Sequence, residues 1–396
     1  MTGASEPARP RTVLLTTQLI GDVNRSRVLQ AFVDHGALSR ADLARLAGVP
    51  RATIGTIIQG LLDDGLLEEQ APDRDGRVGK PGRPLWFAER AGLSVAVGFT
   101  DDAVRTALVN ARGDRLSQHE VALATGSAAA AELRRATERA VRQVLPARDE
   151  VLGVGVAVPG VCDTAAGEVV ASGPLPGAVG TGLARSLGAA TGVPVLVDND
   201  ARVQALGEKW FGDARGTASF ASVQTGAGLG VGLVLGGHLY RGEDGRVGEL
   251  GHTQVVADGV RCRCGLRGCW ETIATTGWLR AEARRRRIRG ADRITTERLV
   301  VAEDRASVAL LGDYAANLAT GLATLVNLLG IRRIILHGDA AQGGERMRAL
   351  VEAALRERAL GHVSDEVAVT LSSLDGDAVL LGGAALVLSE TFRLAV

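Results

Sequence analysis

Apolar residues follow one spacing up to about residue 90 and another beyond it. Between Asn24 and Leu67 they recur three and four positions apart, the period of helices with one buried face. The stretch "NRSRVLQAFVDHG" aligns Val28, Leu29, Phe32 and Val33 and stops at Gly36. Next, "SRADLARLAG" opens with Ser39, carries Asp42 at the spacing of a capping box, and ends at Gly48. A third helix, "PRATIGTIIQGLLDDG", has Pro50 at a permitted first-turn position and repeats Ile54, Ile57, Ile58, Leu61 and Leu62. Its other face presents Arg51, Thr53, Thr56 and Gln59. Two short helices joined by a tight turn, the second with such a polar face, predict a helix-turn-helix reader of the major groove. "LLEEQAPDRDGRVGKPGRPLWF" then reads as two strands around a basic loop with Arg74, Arg77, Lys80 and Arg83, the pattern of a wing that meets phosphates. The plainer alternative is a three-helix docking domain with a solvated polar face; the placement of the basic residues favours DNA.

From about Leu93 apolar strands alternate with helical segments and glycine turns. "SVAVGFTDDAVRTALVN", "VLGVGVAVPG" and "VPVLVDNDA" read as strands, with an amphipathic helix between Ala128 and Leu145. Further on, "ASFASVQTGAGLGVGLVLGGHLYRG" reads as a hairpin, and "RRIILHGD" as a strand running into a loop. This predicts an α/β fold with a mixed sheet in two related halves.

At 396 residues more than one domain is expected. The pattern divides the chain into a flexible N-terminus over 1–15, a winged helix-turn-helix over 16–90 and an α/β unit over 91–396. Formal net charge is zero, so no global field draws the protein to nucleic acid and any DNA-binding charge must be local. The opening "MTGASEPARPRT" has no apolar signal-peptide core, and no run of about 18 apolar residues appears. A cytoplasmic protein without a membrane partner is therefore expected, with its thiols reduced.

That expectation gives the cysteines their meaning. Three of the four lie in "GHTQVVADGVRCRCGLRGCWE", within eight residues of one another and following a histidine. His252, Cys262, Cys264 and Cys269 make a Cys3His set, which suits a closed tetrahedral zinc site of the structural kind. Gly265 and Gly268 would relieve the tight turns, while Arg261, Arg263 and Arg267 would offset the thiolate charge. The cluster is framed by Glu249 and Glu271.

Taken together, "GELGHTQV", "CRCGLRGCWE", "VDNDARVQALGE" and "LSRADLARLAGVPRATIGTIIQGLLDDGLL" resemble the ROK family of repressors, open reading frames and sugar kinases. The resemblance covers nearly the whole chain from about Leu14. It implies an actin-like, ribonuclease H-like two-lobed sugar kinase fold behind the winged helix, with a structural zinc loop at 249–271. It also implies that Asn199, Asp200, Glu249, His252 and Glu271 contact a sugar in the cleft between lobes, and that Asp200 is the base of any kinase activity. Carboxylates and an amide suit adjacent hydroxyls, which donate and accept in pairs. Taken alone, "DND" would read as a helix cap, and Asp200 can serve both purposes.

The chain departs from the kinase pattern on the phosphate side. Where the family has an Asp-x-Gly-Gly-Thr turn, this sequence reads "GFTDD", with Gly98 at the Asp position and Thr100 and Asp101 at the glycines. A Gly-Thr-Gly segment becomes Gly226, Ala227 and Gly228, and His337 replaces a glycine on the adenosine side. Phosphoryl transfer depends on positioning and charge around phosphates and magnesium, so ATP and magnesium are not expected as cofactors and no catalytic residue is expected. Pro174 stands where a sugar-contacting Asn is common, and Gly55 and Thr56 stand where relatives often carry Ser-Arg. The expected function is a sugar-responsive repressor that binds operator DNA as a homodimer or homotetramer, with a sugar or sugar phosphate as effector. The rival is an ATP-dependent hexose kinase with an attached DNA reader.

Overall fold

The structure is a computed structural model that describes residues 17–71, 83–123, 129–146, 150–243, 248–374 and 376–394. Its first three helices are α1 (Thr17–His35), α2 (Arg40–Ala47) and α3 (Arg51–Asp63). The first begins well ahead of Asn24; its opening turns are mostly exposed, Ile20 and Val23 included. The capping box of α2 forms in both directions: Ser39 Oγ accepts from the Asp42 N–H and the Asp42 carboxylate accepts from the Ser39 N–H. Gly48 closes the helix in the left-handed conformation. Pro50 lies one position ahead of α3, as its N-cap, where its missing N–H costs nothing. Ile54, Ile58 and Leu61 are buried, leaving the polar face outward. Strands β1 (Leu67–Glu69) and β2 (Leu85–Phe87) then pair antiparallel as the base of the wing.

Two mixed sheets follow, one per lobe. The first lobe contains β3 (Ser94–Phe99), β4 (Ala103–Val109), β5 (Arg115–Ala122), α4 (Ala130–Val144), β6 (Gly153–Val158), the hairpin β7 (Val161–Asp163) and β8 (Glu168–Ala171), α5 (Leu183–Thr191) and β9 (Val195–Asn199). Its sheet order is β5-β4-β3-β6-β9, an antiparallel meander extended by two parallel strands. Helix α6 (Asp200–Phe211) leads into the second lobe, where β10 (Phe220–Thr225), β11 (Leu229–Leu235) and β12 (His238–Leu239) form the meander. After α7 (Thr276–Arg285), α8 (Thr296–Val300) and α9 (Arg305–Leu329) come β13 (Arg333–Gly338), α10 (Asp339–Gln342), α11 (Gly344–Arg356), α12 (Gly361–Ser364), β14 (Ala368–Leu371) and α13 (Ala378–Thr391). The order β12-β11-β10-β13-β14 repeats the first sheet strand for strand.

One expectation is corrected here. Strand β13 does not run into a loop; it turns at Gly338 (φ 67°) straight into α10, and the Ala340 N–H donates to Thr225 Oγ1 at 2.9 Å. Helix α9, the one helix among the described residues long and apolar enough to cross a membrane, buries Leu310, Tyr314, Leu318 and Leu322 in the second lobe's core.

Helices α6 and α13 cross at backbone contact. A Cβ on Gly382 would sit 1.8 Å from the Val203 carbonyl oxygen, and one on Gly207 2.2 Å from that of Ala378. No side chain fits there. The same helix pair carries the N-terminal winged-helix unit: Val28, Phe32, Ile58 and Phe87 share one apolar core with Leu206, Trp210, Leu388 and Phe392. Phe87 stacks on Phe392 with centroids 6.2 Å apart, and Arg215 lies over the Trp86 ring. The boundary drawn near residue 90 thus separates two sequence patterns but not two cores.

Candidate functional site

The loop after β12 brings the four predicted metal ligands together. The ligand atoms of His252, Cys262, Cys264 and Cys269 all lie within 4.8 Å of one another. Cys264 Sγ is 3.6 Å from Cys269 Sγ, and Cys262 Sγ is 3.5 Å from His252 Nδ1. A tetrahedral zinc with bonds of about 2.3 Å would hold thiolates roughly 3.8 Å apart, so the donor set fits. The loop folds as a small hairpin with an Arg261–Arg267 bridge, and Gln254 bridges to Cys269. Gly268 is obligatory, since φ is 69° and a Cβ would meet the Val256 carbonyl oxygen at 1.7 Å. Cys162 is buried and takes no part; burial pushes its thiol up to about 12.

The loop also aims two sugar-contact candidates. His252 turns Nδ1 to the thiols while Nε2 faces Glu271 Oε2 at 3.6 Å and Glu249 Oε2 at 3.7 Å. Glu271 sits in a short turn after Cys269 whose neighbour Trp270 is locked into the second lobe. The indole donates to the Asn317 carbonyl at 2.9 Å, and Gly321 of α9 makes room for the ring, where a Cβ would come within 2.1 Å. Sequence reasoning missed this anchor, because its partner lies some fifty residues away. It also placed Arg263 beside the thiolates, whereas the guanidinium instead pairs with Glu271 Oε1 at 2.7 Å.

Across the cleft, Asn199 and Asp200 join β9 to α6. Asn199 Oδ1 caps the helix by accepting from the Arg202 N–H, and its Nδ2 donates to the Gly160 carbonyl and to Asp200 Oδ1. Its amide is therefore engaged within the protein. Asp200 is half-buried on the cleft floor, and desolvation together with the charge of Glu249 pushes its carboxyl up to about 6. The first residue of "DND", passed over in the sequence, holds the floor in place: buried Asp198 pairs with Arg202 at 2.6 Å and with Arg241, from the second lobe, at 3.0 Å.

A cavity of about 630 Å³ extends from Asp200 between the lobes, lined among others by Thr100, Arg105, Gln204, Gln224, His337 and Gln342. The "GFTDD" segment is a tight β3–β4 turn in which Thr100 Oγ1 donates to Asp102 Oδ1. Gly98 lies against Val379 and Leu380 of α13. His337, buried beside Ser222 and 3.4 Å from Glu208, is held down to about 4 by desolvation and is neutral at physiological pH. Arg105 is paired with Asp377.

On α3, Arg51, Thr53, Thr56 and Gln59 are all exposed. Arg83, at the base of the wing, is ion-paired with Glu69, which also pairs with Arg40. Arg74, Arg77 and Lys80 lie outside the described residues.

With this geometry in view, the model of the ROK family matches residues 93–390. The chain belongs to the ROK family. Ahead of that match, the MarR family model covers residues 22–78, the segment of the winged helix. Over 392 residues the chain is 27% identical to a putative xylose repressor of Caldicellulosiruptor sp. (strain Rt8B.4), covering 94% of this chain and 97% of the relative. It shares its fold with the crystal structure of a ROK family transcriptional regulator described as a homologue of the E. coli Mlc protein (TM-score 0.73, 23% identity, 94% of this chain and 99% of that one). A ROK hexokinase from Thermus thermophilus, 29% identical with a TM-score of 0.64, matches 76% of this chain and 99% of its own.

Proposed function

We propose that this ROK protein is a cytoplasmic, sugar-responsive transcriptional repressor whose cleft binds a small sugar and whose winged helix binds operator DNA as a homodimer or homotetramer. The observation that carries the reading is helix α6. Its N-terminus holds Asn199 and Asp200 on the cleft floor, and its C-terminus holds Lys209 and Trp210 against the DNA-reading unit, with Lys209 Nζ 4.0 Å from Asp34. At 12 residues it spans about 18 Å, so ligand site and reader sit at opposite ends of one rigid element. A sugar that prefers one lobe arrangement would bias the angle of α6 and with it the winged helix; the coupling equals the difference in the sugar's affinity for the two arrangements.

Asp200, Glu249, His252 and Glu271 are the proposed sugar contacts. His252, Cys262, Cys264 and Cys269 would hold a zinc ion, which when bound braces the loop that aims His252 and Glu271. Arg51, Thr53, Thr56 and Gln59 would face base edges, with Arg77, Lys80 and Arg83 on phosphates. The closure of the winged helix onto α6 and α13, with which it shares an apolar core, supports regulation over a tethered, independent reader.

Retained kinase activity is the second reading. What favours it is the open cavity beside Asp200, whose raised pKa suits a general base. Against it, His337 is neutral and Arg105 is already paired, so these two side chains offer little free positive charge to a phosphate chain. The test is a titration of the zinc-loaded protein onto duplexes it selects from a random pool, with and without D-xylose, D-glucose or N-acetyl-D-glucosamine, alongside ATP consumption against an Asp200→Ala control. A sugar-dependent change in DNA affinity without turnover is expected. Sugar-dependent turnover lost in Asp200→Ala would establish the kinase instead.

A further inference from the structure

Where the cleft meets the zinc loop, the described side chains are rich in acceptors and short of donors. Asp200, Glu249 and Glu271 accept hydrogen bonds when ionised, and the Asn199 amide is already spent on Gly160, Asp200 and the cap of α6. A monosaccharide needs donors too, because its ring oxygen and each hydroxyl oxygen accept. On the zinc-loop side of the cleft, among the described residues, the side chains placed to donate are His252 Nε2 and Arg263.

Arg263 sits between two of the zinc-ligand candidates, Cys262 and Cys264, on the second lobe, and its guanidinium crosses toward the first. Built Cβ atoms show where it lies: one on Gly173, just past β8 in the first lobe, would be 3.5 Å from Nη1, and one on Gly228, in the β10–β11 turn, 3.4 Å from Nη2. Glycine on both sides leaves its faces uncovered. Glu271 Oε1 fixes the guanidinium at 2.7 Å, yet 51% of the side chain stays exposed, so N–H groups remain available on the cleft side.

The charges decide which ligand suits this arrangement. Arg263 and Glu271 form a neutral pair. Asp200 and Glu249 add two further carboxyl groups, close enough for the charge of Glu249 to act on Asp200. A phosphate or carboxylate ligand would meet those carboxyl groups with the Arg263 cation already engaged, whereas a neutral polyol would find a fixed guanidinium and several acceptors.

We propose that Arg263 is a specificity-determining residue that donates to the oxygens of an uncharged monosaccharide, and that the cleft discriminates against the phosphate ester of the same sugar. This rests on the sugar-binding reading above. It is tested by calorimetry on the zinc-loaded, full-length protein and on Arg263→Ala and Arg263→Lys, using D-xylose, D-glucose, N-acetyl-D-glucosamine and glucose 6-phosphate. The wild type is expected to bind a neutral sugar at least about tenfold more tightly than the phosphate ester. Arg263→Ala should lose about tenfold or more of that affinity, Arg263→Lys less, with zinc content unchanged. Against a series of monodeoxy analogues of the sugar that binds, one deoxy position should be costly in the wild type and nearly free in Arg263→Ala. Three results overturn the inference while sparing sugar binding itself: unchanged or tighter binding by Arg263→Ala, a uniform loss in which no deoxy penalty shrinks, or a wild-type preference for the phosphate ester. Failure of the wild type to bind any of the sugars refutes the sugar reading as well.

Discussion

Replacing Asp200 by Asn should stabilise the protein at neutral pH, by an amount that shrinks on acidification. The carboxyl is displaced from 3.8 to about 6, chiefly by desolvation and in part by Glu249. Each pH unit of displacement corresponds to about 1.4 kcal/mol, so holding Asp200 ionised costs the fold up to about 3 kcal/mol at pH 7.5, less where the open cleft screens it. Asn keeps the acceptor that takes the Ala201 N–H and the Asn199 amide, so those contacts survive the substitution. The sign follows from linkage: the folded state holds the proton more tightly than the unfolded chain, so the penalty is full above pH 6 and fades as pH falls toward 4. By pH 5 the gap between variant and wild type should be roughly half its value at pH 7.5. Urea denaturation of both zinc-loaded proteins at pH 7.5, 6 and 5 measures it, with zinc content checked at each pH. A variant no more stable than wild type at pH 7.5, or a gap that grows on acidification, would refute the account of Asp200 as a desolvated cleft-floor carboxylate.

The same carboxyl should make sugar affinity fall about tenfold from pH 7.5 to pH 5 in the wild type, a dependence that Asp200→Asn removes; calorimetry across that range is the measurement. Cys262→Ser should lower zinc content and abolish the sugar response while DNA affinity at fixed salt stays within about twofold, read by metal analysis and anisotropy titration. Gly321→Ala would drive a methyl into the Trp270 indole; it should cost about 1–3 kcal/mol of stability and weaken sugar binding through a displaced Glu271, with calorimetry and denaturation moving together. Arg51→Ala should weaken binding to a selected duplex by about 1–3 kcal/mol more than to random duplex, whereas an equal loss on both would make Arg51 a phosphate contact.

What the sequence disclosed, and what it concealed, divides by the range of the interactions. The capping box of Ser39 and Asp42, the stop at Gly48 and the stripe of Ile54, Ile58 and Leu61 are local, and all three form as expected. So does the metal cluster, because three of its ligands share one turn and the fourth lies ten residues from the first cysteine. The repeated sheets showed as alternating strands and helices, but their strand-for-strand equivalence needed the pairing. Arg263 was misplaced because its position among thiolates suggested a local partner, and the partner it takes is Glu271 across the loop. Asn199 was expected to face sugar, yet its amide is taken by Gly160, a residue 39 positions away. The Trp270–Gly321 lock and the Asp198–Arg241 strut join segments that neither period nor motif connects.

Those long-range partners determine how the cleft can communicate with the winged helix. The chain crosses between the lobes at α6 and again at α13, and the backbones of these helices touch at Gly207 and Gly382, where a methyl does not fit. A contact that tight resists separation and lets the pair act as one pivot. On one side of the pivot the Asp198–Arg202–Arg241 group ties the N-terminal end of α6 to the second lobe. On the other, Trp210 and Phe392 are buried in the core that contains Phe32 and Phe87. A sugar held, as proposed, between Asp200 and Glu271 would therefore rotate an element whose far end shares a core with the winged helix. A flexible linker at residue 90 would have let the winged helix ignore that rotation, and the shared core denies it this freedom.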